Sequence, residues 1–129
     1  MWGKFLFIAA ISGVGAMTRA PIDVTRSVPE VRQLLVGAMQ EIADLAHKKN
    51  ITLDAEIVSK TMTFIDNMAP QVVPSMQRDI MEGRPSELAA QNGAVVRMGL
   101  EEGVPTPTHT FIYASLLPQE LHSRAEIQF

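Results

Sequence analysis

The sequence predicts an all-α domain, and three observations carry that expectation. Apolar residues recur at helical spacing through most of the 129 residues, and no segment shows the sustained alternation of a strand. The apolar content is aliphatic and Met-rich, with eight Met against one Trp and one Tyr, which packs helices better than sheets. Prolines and glycines punctuate the periodic stretches. About six helices are expected in one domain over residues 1–129, since a chain this long has room for one apolar core and not for two ordinary domains.

The opening run WGKFLFIAAISGVGAM holds one charge, Lys4. A basic start, an apolar middle and small residues at the far end also fit a secretory leader, so composition leaves leader and buried core helix both open. A membrane span is disfavoured, because the run is shorter than the ~20 residues needed to cross a bilayer. On a buried helix Lys4 is the exception, since burial disfavours the charged form unless a partner or pocket receives it.

A connection is expected from about Arg19 to Val28, with two prolines in APIDVTRSVPEVRQ. A long helix then starts at Pro29, with Glu30 complementing its positive end and Val31, Leu34, Leu35, Ala38, Ile42, Leu45 and Ala46 on one stripe. Lys48, Lys49 and Asn50 close it. In LDAEIVSKTMTFIDNM, Asp54 is the expected cap, and Ile57, Thr61, Phe64 and Ile65 form the apolar face. After APQVVP, a short helix is expected from Ser75 or Met76 to near Gly83. Ser86 then caps a helix running to about Glu102, with Leu88, Val95, Val96 and Leu100 as core contacts and Gly103 as its C′ residue. The last helix is expected from about Thr108 to Leu121.

Eleven basic and fourteen acidic side chains give a net charge of −3, which leaves no electrostatic footprint for nucleic acid. Without cysteine there are no disulfides, thiolate nucleophiles or zinc–thiolate sites, a usage that suits a reducing cytoplasm. His47, His109 and His122 lack metal-ligand spacing and read as solvated or capping residues. Asp79, Glu82 and Glu87 read first as solvated charges around a turn, with a carboxylate cluster as the sharper alternative. Gly93 and Gly99 lie inside an expected helix, where each costs ~1 kcal/mol relative to alanine, so a close neighbour is expected to require them. Ser75, Asp79, Glu87 and Asn92 fall on short adjoining pieces that could gather polar groups into a substrate site.

The segment PSMQRDIMEGRPSELAAQNGAVVRMGLEEGVPTP carries S-M-x-x-D, G-R-x-[ST]-E and an N-G pair. With WGKF, TRAPI, PEVRQLL and E-I-A-x-x-A upstream, it resembles the C-terminal domain of the ketopantoate reductase (2-dehydropantoate 2-reductase) family, nearly throughout and to about Leu121. The resemblance implies a helical substrate and dimerisation domain that closes over a 2-oxo acid, working with a Rossmann-type domain that binds NADPH. By that resemblance Lys4 is the catalytic lysine and general acid, and Glu87 binds a substrate hydroxyl and orients Lys4. Ser75 contacts the carboxylate region of the substrate. Asn92 falls with Ser75 among the motif positions near substrate, and both it and Asp79 are expected to serve through caps and helix–helix hydrogen bonds. The resemblance makes the opening run the first helix of the domain.

The chain departs from the family pattern at Ile8, Ile22 and Asp23, where substrate-side asparagines and a glycine are usual. Lost amide contacts would change which acid is accepted. Only MWG precedes Lys4, so no Rossmann domain accompanies it here and no cofactor is expected on this chain alone. A homodimer, inactive without a nucleotide-binding partner, is the resulting expectation, and a non-enzymatic helical interaction module is the alternative.

Overall fold

The computed structural model describes all residues, Met1–Phe129. Seven helices and no strand make up the chain: α1 (Trp2–Thr18), α2 (Ile22–Thr25), α3 (Pro29–Lys48), α4 (Ile57–Asp66), α5 (Ser75–Met81), α6 (Asn92–Glu102) and α7 (Pro107–Ser123). The helix beyond the expected six is α2, a single turn inside the Arg19–Val28 connection.

Helix α1 is the axis of the fold. It packs against α2, α3, α5, α6 and α7, which explains why it is apolar on every side instead of along one stripe. Leu6 and the whole stretch Ala9–Ala16 are buried. Small residues let the neighbours come close: a Cβ on Gly13 would stand 2.5 Å from Asn92 Nδ2 and 2.9 Å from Ile112 Cγ2, and one on Gly15 would stand 2.0 Å from Gln77 Oε1. Around it the core gathers Leu35, Met39, Ile42 and Leu45 of α3, Ile65 of α4, Met76 of α5 and Ile112 of α7, each burial worth about 1.5–3 kcal/mol.

Most boundaries follow the local chemistry. Pro29 sits in the first turn of α3 with Glu30, and Gly103 closes α6 in the left-handed region at φ 69°, its N–H donating to Gly99 C=O. Asp54 does not cap α4: the N-cap is Glu56, and Asp54, two residues before it, accepts the Glu56 N–H at 2.8 Å in the approach to Ile57. Two side chains tie α4 down: Arg26 donates to the C=O groups of Ile65 and Met68, and Arg32 holds both oxygens of Asp66.

Four expectations are corrected. The helix from Ser86 to Glu102 is two pieces, an irregular turn over 86–91 followed by α6. The Ser86 hydroxyl accepts the Leu88 N–H but donates to Glu120 of α7, and Gly93 N–H reaches back five residues to Leu88 C=O, so the ladder starts afresh at Asn92. Leu100 points to solvent at 81% exposure instead of into the core, while Leu88 and Val95 are buried. Phe64 is 60% exposed, its ring set edge-on to Phe7 at 5.3 Å between centroids. His109, expected to be solvated or capping, is fully buried.

Candidate functional site

Lys4 stands in the first turn of α1 and is exposed, whereas Ala9–Ala16 are buried. The premise of a buried lysine therefore does not hold, and the ammonium makes no ion pair and no hydrogen bond within the chain. At 100° per residue, Lys4, Ile8, Ile11 and Gly15 share one face of α1, whose far end meets Gln77 of α5. Ile8 is half-buried on that face, one turn from the ammonium. Ile22 is in the core at 3% exposure, so its position serves packing in this chain. Asp23 is half-buried, with Oδ1 shielded from solvent and without a hydrogen-bond partner.

Ser75 is the first residue of α5 and is exposed. Glu87 is exposed in the 86–91 turn; its C=O accepts the Gln91 N–H at 2.9 Å, and its carboxylate has no partner. No hydrogen bond or ion pair joins Lys4, Ser75 and Glu87, and none of them lines the four main cavities. They stand on three separate elements as uncommitted polar groups.

Asp79 and Glu82 both bind Arg84, Asp79 at 2.9 Å, which leaves Glu87 outside that cluster. No group of three or more His, Asp or Glu side chains converges as a metal site would require. Asn92 is fully buried between helices: its Nδ2 donates to Ala9 C=O at 3.2 Å and to His109 Nδ1 at 3.1 Å. His109 in turn donates from Nε2 to Ala38 C=O at 2.8 Å. An amide N–H on one ring nitrogen and a carbonyl on the other fix the neutral tautomer with its proton on Nε2. Burial pushes the His109 pKa below its usual value, opposed by the Ala38 hydrogen bond and the charge of Glu41. Glu41 itself accepts the N–H groups of Thr108 (2.7 Å) and His109 (3.0 Å), capping α7 from α3. This network links α1, α3, α6 and α7, and periodicity alone could not reveal it.

A dinucleotide does not fit this chain. No strand leads into a glycine-rich helix start, and the two cavities beside α3 and α4 have the wrong lining for a pyrophosphate. The cavity of about 280 Å³ beside α3 and α4 carries Asp44 and Asp54, and Arg32 in the neighbouring one of about 530 Å³ is already paired with Asp66. No helix is long and apolar enough to cross a membrane.

In fold the chain is similar to the helical portion of known reductases and dehydrogenases. A dimeric ketopantoate reductase from Staphylococcus aureus superposes with TM-score 0.88 at 24% identity, covering 95% of this chain and 43% of that one. D-mandelate dehydrogenase, in a ternary structure with NADH and anilino(oxo)acetate, gives 0.82 at 22% identity, covering 95% and 68%. The chain belongs to the family described as ketopantoate reductase PanE/ApbA C terminal, whose model matches residues 1–120. Among curated relatives, the 2-dehydropantoate 2-reductase of Aquifex aeolicus is 27% identical over 124 residues, covering 92% of this chain. The chain spans 39% of that relative's length.

Proposed function

We propose that this chain is the substrate-side domain of an NADPH-dependent 2-oxo acid reductase, catalytically inactive until a nucleotide-binding domain or subunit joins it. The observation that carries the reading is Lys4: an unpaired, exposed ammonium in the first turn of a helix whose middle, Ala9–Ala16, is buried, in a chain that matches the reductase C-terminal family over residues 1–120. The reduced nicotinamide supplies hydride from the other domain. On this chain, the Lys4 ammonium hydrogen-bonds the ketone oxygen and provides the proton that oxygen takes up. Glu87 accepts a substrate hydroxyl and orients Lys4, and Ser75 donates to the carboxylate end. Asn92 acts from the core, holding α1 against α6 and α7. Asp79, tied to Arg84, supports the α5 exit.

Ile8, one turn from Lys4, replaces a polar contact with an apolar one. The loss of that contact weakens recognition of a polar hydroxy-oxo acid or changes which 2-oxo acid is accepted. A homodimer in the cytoplasm suits the reading.

The test combines the chain with the nucleotide-binding domain of a family relative and follows NADPH absorbance over a panel of 2-oxo acids. Turnover is expected, and Lys4→Ala should lower it roughly 10²- to 10⁴-fold. A folded complex that oxidises NADPH with none of the acids would favour the second reading, a non-enzymatic helical interaction module. The apolar groove of Met1, Trp2, Phe5, Ala94 and Met98 is what favours that alternative.

A further inference from the structure

Behind Glu87 lies a buried clamp that the proposed chemistry does not use. Glu120 of α7 is 5% exposed, and its carboxylate accepts three hydrogen bonds. Oε2 takes the Ser86 N–H at 2.9 Å and Arg124 Nε at 2.7 Å, and Oε1 takes the Ser86 hydroxyl at 2.7 Å. Arg124 Nη2 closes the ring by donating to Ser86 C=O at 2.9 Å. The Ser86 hydroxyl also accepts the N–H of Leu88, a fully buried residue.

Every polar group of Ser86 is therefore engaged, and the residue on the other side of Glu87 is locked in the core. A buried carboxylate is costly unless it is paired and fully hydrogen-bonded, and Glu120 meets that condition through the Arg124 charge and the two Ser86 donors together. An α7 that needed only an end cap would have no use for a serine 34 positions away. Between the two fixed neighbours, the Glu87 backbone is held in place while its carboxylate is left exposed and unpaired.

We infer that Glu120, together with Arg124, is a positioning residue for Glu87: it fixes the backbone so that the Glu87 carboxylate meets the same bound 2-oxo acid as Lys4. The inference rests on the role given to Glu87 in the proposed function. Glu120 touches no substrate and acts only through the loop.

The test has two arms. In the chain itself, Glu120→Ala should strip hydrogen-exchange protection from the Ser86 and Leu88 amides while α1 and α3 amides keep theirs. In the complex with a nucleotide-binding domain, Glu120→Ala should lower kcat/KM roughly 10- to 100-fold, the usual penalty for a displaced substrate-orienting group. In a Glu87→Ala background the same substitution should change kcat/KM by less than about twofold, because its effect passes through the missing carboxylate. Glu120→Gln, which keeps an acceptor for one Ser86 donor, is the second variant should Glu120→Ala fail to fold, and an intermediate loss is expected. Unchanged protection, unchanged kcat/KM, or full additivity with Glu87→Ala overturns the positioning role alone. A complex without turnover, or one indifferent to Glu87→Ala, overturns the underlying reading and the inference with it.

Discussion

His109 shows how much a single residue can hide from the sequence. Its neighbours give no metal spacing, and nothing in the linear pattern distinguishes a solvated histidine from one whose two ring nitrogens are satisfied by Asn92 and Ala38. The neutral ring matters for stability. With the folded-state pKa held below the usual 6.5, the unfolded chain binds a proton before the folded chain does. The stability this contributes is complete above about pH 6.5 and is lost as pH falls through the folded-state value. Thermal unfolding should therefore show Tm dropping between pH 7 and pH 5, with a shallower drop in His109→Gln. Equal slopes for the two proteins would remove His109 from the explanation. Glu87 and Ser75, by contrast, were legible as motif positions, and both stand exposed. Glu120 was not, because its partner is distant in sequence and only the packing of α7 on the 86–91 turn brings them together.

Among the elements, α3 was read nearly to the residue because one face is wet and the other dry, which writes the period into the sequence. The 86–102 segment misled because a capping serine and helical spacing are present there, yet Ser86 is held by another helix. The two mid-segment glycines were informative. A Cβ on Gly99 would come within 2.8 Å of the Val104 carbonyl and 2.7 Å of Thr106 Cγ2, and backbone cannot easily yield. Gly99→Ala should destabilise by about 1–3 kcal/mol despite the better helix propensity of alanine. Gly3, where the added Cβ meets only Ile57 Cδ1 at 3.8 Å, should show the opposite sign, with Gly3→Ala gaining up to about 1 kcal/mol. Denaturant melts of both variants check the pair, and a shared sign would refute the steric account.

For the whole molecule, the all-α class was legible from composition, and the family from motifs spread over α1, α3, α5 and the turn before α6. What resisted reading was the order of burial. The most apolar segment looked like a leader because a helix surrounded on all sides carries no stripe, and only its neighbours explain it. The exposed ion pairs contribute little to the bundle: Lys60 with Asp54 and Arg84 with Glu82 are open to solvent, where screening and side-chain entropy offset the attraction. Stability comes from the faces packed around α1.

Trp2, the only tryptophan, lies two residues from Lys4, partly exposed, with its ring edge-on to Phe5 at 6.1 Å and Met98 across the groove. Anything that closes over the start of α1 must change the water around that indole. The protein therefore carries its own optical probe: a blue shift of tryptophan emission on adding a tryptophan-free nucleotide-binding domain would report docking before any turnover is measured, and emission unchanged at saturation would place the docked domain elsewhere.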